Sequence, residues 1–382
     1  TICYFNACHI SNSFFNEFTK GKMKLRYKIL NGAIALTLVT VSTLAVTLAY
    51  TKNCELPVIR EINNPMKAII YRCYGGPEVL EQSVIEIPEP LAHQILVRVK
   101  AAAVNPVDWH YMRGSPYIMR LMTGIGAPND QSIGTDFAGI VEKVGSDVTK
   151  FKIGDAVFGG GGGSFAEYVL ANASKSVAHK PTDVSFEQAA AMPIAALTAL
   201  QALRDKGQLE PGQKVLINGA SGGVGTYAVQ IAKSFGAEVH GVSSGRNIEM
   251  VTLLGADHMF NYKTESYIES EERYDLIVDM ISNHSISDNL KVLKKQGRMV
   301  IVGGGKGNWI GPLMPSIKAV IMNNFVDQEL QQFVAQFNSK DLESLAELMR
   351  QGQLSSVIDR RYSLDEIQDA ISYSESGRAR GK

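Results

Sequence analysis

The sequence predicts an α/β protein: a β-rich region, then a doubly wound parallel sheet with crossover helices, the whole preceded by an apolar N-terminal helix. Three observations carry this. β-branched runs separated by Gly and Pro turns fill residues 66 to 184, strand and helix alternate after 185, and residues 29 to 50 contain no charge.

The bulk numbers agree with that outline. At 382 residues, 45% hydrophobic and 20% charged, the chain suits a globular protein of about two domains of ~100 to 200 residues each. Lys plus Arg equals Asp plus Glu at 38 each, so no net field draws it to nucleic acid. The cysteines, Cys3, Cys8, Cys54 and Cys73, have no CxxC spacing, and nothing after Cys73 could form a disulfide framework or thiolate cluster. Cysteine usage leaves the redox compartment open.

At the N-terminus, Lys20, Lys22, Lys24, Arg26 and Lys28 precede "ILNGAIALTLVTVSTLAVTLAY" at 29 to 50. As a helix this run would span about 33 Å, close to the ~30 Å hydrocarbon core of a bilayer. It reads as an uncleaved single-pass anchor. A cleaved signal peptide, whose apolar core should be about 7 to 15 residues, stays open as an exported or organelle-targeted alternative, as does a buried helix. Met23 is a natural start, and residues 1 to 28 form a basic segment whose portion before Met23 reads as upstream readthrough. The positive charges put the N-terminus on the cytoplasmic side and the remainder on the far side, so which side the domain faces stays open.

Residues 51 to 65, "TKNCELPVIREINNP", read as a linker. Strands follow over 66 to 184 in "MKAIIYRC", "EVLEQSVIEI", "QILVRVKAAAVN", "FAGIVEKVG" and "GDAVFG", and the five glycines at 159 to 163 read as a hairpin turn. From 185 to 207, Phe186, Ala190, Ile194, Leu197, Leu200 and Leu203 recur at helical spacing. "KVLINGA", "GGVGTYAVQIAKSFG", "AEVHGVSS", "RNIEMVTLLGA", "YDLIVDMI", "SISDNLKVLKKQG" and "RMVIVGG" then alternate strand and helix up to about 324. Residues 325 to 382 predict a helix at 340 to 350, a strand near "SSVIDRRYS" and a helix at 364 to 374, returning to the β-rich domain.

The glycine-rich turn "LINGASGGVG" at 216 to 225 sits between the first of these strands and its helix, the setting of a dinucleotide pyrophosphate. Aligned from its last glycine it reads Ala220, Gly222 and Gly225, with Ser221, Gly223 and Val224 between, so Ala stands where the first fingerprint glycine is expected. About 20 residues on, where an NAD site carries an acid, the strand ends "GVSSGRN". Ser243, Ser244 and Arg246 can instead hold a 2′-phosphate, which favours NADPH.

"AAAVNPVDW", "GTDFAGIVEKVGSDVTKFKIGDAVFG", "AAMPIAALTALQAL", "NGASGGVGTYAVQIAK", "GADHMFNYK" and "GRARGK" together resemble the zinc-independent quinone oxidoreductase branch of the medium-chain dehydrogenase/reductases, from about Met66 to the end. The resemblance implies a GroES-like β-barrel catalytic domain (66 to 184) interrupted by a Rossmann NADPH-binding domain (185 to 324), with the active site in the cleft between them. Where zinc members carry a Cys and the His of a Gly-His-Glu motif, this chain has Asn105 and Thr135. Neither is a strong zinc ligand, and no metal site is expected. It further implies Asn105 and Thr198 beside nicotinamide and acceptor, Gly303 beside the ring, and Tyr262 with Arg246 at the adenosine phosphate. His110 stands where some relatives carry a cleft Tyr and is a candidate proton donor; Asp108 is expected to fix the loop. Family members usually continue past the final Gly-Lys with an apolar strand, so the last strand is expected to be missing here. A homodimer would be a family expectation.

Two functions follow. The first is hydride transfer from NADPH to quinones or α,β-unsaturated carbonyls at a membrane, acceptors that need no Lewis acid. The second is a membrane-attached NADPH-binding scaffold or sensor with little turnover.

Overall fold

The computed structural model describes residues 36–37, 39–54, 61–304, 307–309 and 311–382. Contacts divide the chain into Thr1–Thr51 and Lys52–Lys382.

In the first unit, residues 36–37 and 39–49 are helical, and Thr40 and Thr47 donate their hydroxyls to the carbonyls of Leu36 and Thr43, both at 2.8 Å. Among the described residues no helix is long and apolar enough to cross a membrane. The transmembrane helix expected over 29 to 50 is therefore not supported. The start of that run and the basic segment 1 to 28 lie outside the described residues.

In the second unit, hairpin strands β1 (Pro65–Ile70) and β2 (Glu81–Glu86) pair antiparallel. The strands β3 (Gln94–Ala103), β4 (Asp136–Val144), β5 (Ala156–Gly160), β6 (Tyr168–Asn172) and β7 (Val177–His179) form an antiparallel sheet in the order β6-β3-β4-β5-β7. Single bridges, Ala68 to Ala166 and Ile70 to Ser132, join the hairpin to this region. Alternate residues of the sheet, Ile95, Val97, Phe137, Val141, Val157, Val169 and Val177, enclose one core, as the period of two requires. Helices α1 (Pro106–Arg113) and α2 (Arg120–Thr123) lie between β3 and β4.

The single helix expected over 185 to 207 is interrupted. It forms α3 (Phe186–Ala190), α4 (Pro193–Leu200) and a π-helical turn at Gln201–Lys206. Pro193 has no N–H to continue the ladder and instead opens α4 at its first position.

The parallel sheet has six strands, β8 (Lys214–Asn218), β9 (Glu238–Ser243), β10 (His258–Asn261), β11 (Tyr274–Asp279), β12 (Leu293–Ile301) and β13 (Glu329–Gln332). Their order is β10-β9-β8-β11-β12-β13, the doubly wound arrangement whose switch point lies between β8 and β11. The helices α5 (Gly223–Ser234), α6 (Ile248–Leu253), α7 (Ile286–Val292) and α8 (Met314–Met322) accompany it. Val215, Ile217, Val239, Leu276, Val278 and Val300 pack into one core, and Leu216, Val242, Ile277, Met299 and Ile301 into another. Both faces are buried, which is why these strands read as unbroken apolar runs. β13 lies past the boundary expected at 324, so the sheet domain takes in residues assigned to the tail.

Helix α9 (Ser339–Arg350) buries Leu342, Leu345 and Met349 in the core that holds Leu200 and Leu203. Helix α10 (Ile367–Glu375) buries Ile367, Ala370 and Ile371 against Ile69, Tyr71, Tyr74 and Met112 of the β-rich domain. No strand forms near "SSVIDRRYS"; Val357 instead accepts the Lys382 N–H at 2.8 Å, and the Asp359 N–H donates to the Lys382 carbonyl at 2.6 Å. A disulfide joins Cys54 to Cys73, Cα atoms 4.9 Å apart, a pairing their spacing did not announce. The Lys52 N–H also bonds the Gly126 carbonyl at 2.8 Å.

Candidate active site

The glycine turn leaves β8 at Asn218 and bends at Gly219, whose φ of 95° is left-handed and favours glycine. The N–H groups of Gly219 and Ala220 both donate to the Val242 carbonyl, at 3.2 and 3.1 Å, tying the turn to β9. The glycine that makes the turn thus stands one position before Ala220, which is fully buried. A Cβ on Gly225 would lie 2.1 Å from the Gly219 carbonyl oxygen, so the first turn of α5 can approach the strand only with glycine there. Gly222, the N-cap of α5, is different: a Cβ there would touch only that same oxygen, at 3.5 Å. The Cβ side of Gly222 is otherwise open, next to the first-turn amides of Gly223, Val224 and Gly225, while Gly381 and Lys382 lie against Gly223.

At the end of β9 and just past it, Ser243 and Ser244 are buried, and Arg246 is exposed. The Ser243 hydroxyl donates to the Ser244 carbonyl at 3.2 Å, and the Ser243 carbonyl accepts the Tyr262 N–H at 3.1 Å. Arg246 donates from Nη2 to the Arg378 carbonyl at 3.2 Å. Asn247 donates from Nδ2 to Ser221 Oγ at 3.0 Å, while its buried Oδ1 has no partner. An orphaned acceptor beside an open glycine turn fits a ligand that brings both phosphate and hydroxyl groups. Across the switch point the Gly303 N–H donates to the Asp279 carbonyl at 3.2 Å. A Cβ on Gly303 would sit 2.3 Å from the Met280 carbonyl oxygen, so no side chain fits there.

A second network surrounds Asn105, the 2% exposed N-cap of α1. Its N–H donates to Asp108 Oδ2 at 2.7 Å, and its Nδ2 donates to Asp136 Oδ2 at 3.0 Å and the Ala103 carbonyl at 3.1 Å. Its Oδ1 accepts from Lys382 Nζ. Thr135 Oγ1 donates to Asp108 Oδ1 at 2.8 Å, so Asp108 braces the loop. Asp136 also accepts the Ile194 N–H, 3.2 Å from each oxygen, at the start of α4. Burial pushes the Asp136 carboxyl up to about 7 and that of Asp108 up to about 6, and it pulls the Lys382 ammonium down. Thr198, half-buried one turn into α4, donates its hydroxyl to the Ile194 carbonyl at 2.6 Å.

His110 lies five residues along α1 from Asn105. Its Nδ1 bonds the Ser115 carbonyl at 2.8 Å, which makes Nδ1 the donor and leaves Nε2 bare in the neutral ring. Burial lowers its pKa, which favours the neutral ring. Of the apolar residues at 112 to 122, Met112 belongs to the β-domain core, whereas Leu121 and Met122 are exposed.

Two of the contacts that join the chain's two halves lie beside these networks. The Gly381 N–H donates to the Ser221 carbonyl at 3.0 Å, while the next side chain, Lys382, reaches Asn105. The Ser115 hydroxyl donates to Asn308 Oδ1 at 2.8 Å, and the rings of Tyr117 and Trp309 pack edge to face at 4.7 Å. Asp136, Asn247 and Lys382 were not among the expected site residues, although "GTDFAG", "SSGRN" and "GRARGK" contain them.

Residues 91–182 match the alcohol dehydrogenase GroES-like domain family, and residues 254–382 match the zinc-binding dehydrogenase family. The chain is similar to the chloroplast envelope quinone oxidoreductase homolog of Arabidopsis thaliana, 34% identical over 83% of this chain and 97% of that protein. It is similar to the 2-methylene-furan-3-one reductase of Solanum lycopersicum, 34% identical over 84% and 79%. Among solved structures, the Escherichia coli quinone oxidoreductase complexed with NADPH superposes with a TM-score of 0.71 at 27% identity, covering 82% of this chain and 98% of that one.

Proposed function

The chain belongs to the quinone oxidoreductase branch of the medium-chain dehydrogenase/reductase superfamily, and from that premise we propose that it reduces quinones or α,β-unsaturated carbonyls with NADPH. NADPH supplies the hydride when bound, from C4 of its nicotinamide. The chain's own residues bind and orient. The first-turn amides of Gly223 to Gly225 receive the pyrophosphate over Gly222, and Asn247 Oδ1 accepts a hydroxyl beside it. Ser243, Ser244 and Arg246 take the 2′-phosphate, with Tyr262 at its edge, which is our ground for NADPH over NADH. Gly303 leaves room for the ring, and Asn105 and Thr198 flank ring and acceptor. Given its tethered Nδ1, we assign His110 to holding the loop rather than to supplying a proton.

The observation that carries this reading is the junction at Gly381 and Lys382, where the glycine turn and the Asn105 network are held within two consecutive residues. The test follows NADPH absorbance with the full chain against a panel of quinones, enals and enones. NADPH binding without oxidation by any acceptor would reject the enzyme and leave the scaffold. The envelope named for the plant relative supports an organelle as the place of action, which fractionation of the full-length protein tests.

A further inference from the structure

We propose that Lys382 is a positioning residue of this reductase, its ammonium fixing the Asn105 amide from the far side of the glycine turn and so setting the pocket for ring and acceptor. The inference rests on the functional reading above, but its geometry stands independently. Lys382 is anchored through its backbone: its N–H donates to the Val357 carbonyl at 2.8 Å, its carbonyl accepts the Asp359 N–H at 2.6 Å, and the preceding N–H bonds Ser221. From there the side chain runs past the glycine turn, so that a Cβ on Gly223 would lie 3.2 Å from Lys382 Cδ. It ends on Asn105 Oδ1.

That contact completes the Asn105 amide. Nδ2 is already committed to Asp136 and Ala103, so Lys382 occupies the acceptor and determines which way the amide faces. Without it, Oδ1 would keep only the weaker capping contact from the Asp108 N–H, and the amide could turn over. The ammonium also has an electrostatic reason to be there. Asp108 and Asp136 are 1% and 0% exposed, and the Lys382 charge opposes the penalty of holding two carboxyl groups out of water, favouring the ionised form of each. One side chain thereby links the cofactor turn, the Asn105 loop and, through Asp136, the start of α4 that carries Thr198.

The test uses the full chain labelled with ¹⁵N at asparagine. The Asn105 side-chain amide pair is identified by its loss in Asn105→Ala, and its hydrogen exchange is measured without ligand. Lys382→Met should move this signal and speed its exchange at least about tenfold, and Lys382→Arg should restore most of the protection. In steady state, Lys382→Met should lower kcat/KM for the acceptor about tenfold with the NADPH Kd within twofold, and it should add nothing in an Asn105→Ala background. Lys382→Gln, which keeps a donor without the charge, is read in the same assays should Lys382→Met not fold. An unchanged Asn105 amide overturns the proposal whether or not any acceptor is reduced. Unchanged kcat/KM, full additivity with Asn105→Ala, or a loss confined to NADPH affinity overturns it in an active enzyme. A wild type that oxidises no NADPH defeats the functional reading instead, and the amide signal still decides on Lys382.

Discussion

Two single-methyl substitutions in the glycine turn separate cofactor binding from folding. In Gly222→Ala the new Cβ meets only the Gly219 oxygen, at 3.5 Å, and the backbone at φ −84°, ψ 179° suits alanine. The fold should barely notice, with a stability change within about 0.5 kcal/mol. The methyl would, however, stand in the space next to the α5 amides in which we place the pyrophosphate. Losing one or two charge-assisted hydrogen bonds there, at about 1.5 to 3 kcal/mol each, corresponds to a rise in NADPH Kd of at least about tenfold. In Gly225→Ala the Cβ falls 2.1 Å from the Gly219 oxygen and 2.8 Å from Ala220 Cα. Relief requires α5 to retreat from β8 by about 1 Å through a close-packed core, a cost of about 3 kcal/mol or more. The assays are thermal unfolding without ligand and a fluorescence titration with NADPH. Wild-type NADPH affinity in Gly222→Ala would refute the placement of the cofactor, and an unshifted Tm in Gly225→Ala would refute the packing argument.

Arg246→Ala should weaken NADPH about tenfold, discounted for the exposure of the guanidinium, and leave the NADH Kd within about twofold; equal losses for both would remove the 2′-phosphate assignment. His110→Ala should keep kcat within about threefold, whereas a loss of 100-fold at unchanged NADPH affinity would make it the proton donor after all. Because burial raises the Asp108 and Asp136 pKa values to about 6 and 7, the folded state binds these protons more tightly than the unfolded chain. Their contribution is full below about pH 4 and is lost as pH rises through 6 to 7. Lys382, held below its usual value, contributes with the opposite sign on the alkaline side. Tm measured from pH 4.5 to 8 should fall more steeply in the wild type than in Asp136→Asn, and parallel curves would contradict this. Reducing the bond between Cys54 and Cys73, 19 residues apart, should cost about 3 kcal/mol by loop closure; an unshifted Tm under dithiothreitol would show that the bridge adds nothing.

What could be read from the sequence was local. Strand, turn and helix around Gly219 to Gly225 sit within some twenty residues, and their spacing alone implies an anion site. The alternation behind them implies the parallel sheet, because strands buried on both faces and amphipathic helices differ in period. Pro193 was visible, yet the apolar spacing around it masked the break it causes. The Asn105 network was half legible: Asn105 and Asp108 lie on one loop, but Asp136 arrives through sheet pairing and Lys382 across 277 positions. Nothing local distinguishes that lysine from its neighbours in "GRARGK", since its partner is chosen by tertiary packing. Cys54 and Cys73 likewise meet through the path of the chain rather than through any motif.

The way α10 completes the β-rich core has a consequence for biosynthesis. Gln368 Nε2 bonds the Leu80 carbonyl across 288 positions, and Arg113 pairs with Glu375 across 262. On the ribosome, every strand of the parallel sheet emerges before the residues that close the first domain. The sheet domain can therefore mature while its neighbour still exposes Ile69, Tyr74 and Met112, a vulnerable interval that ends only when α10 docks. Truncation just before Ile367 should thus release a chain whose parallel sheet is formed while Ile69, Tyr74 and Met112 stay uncovered.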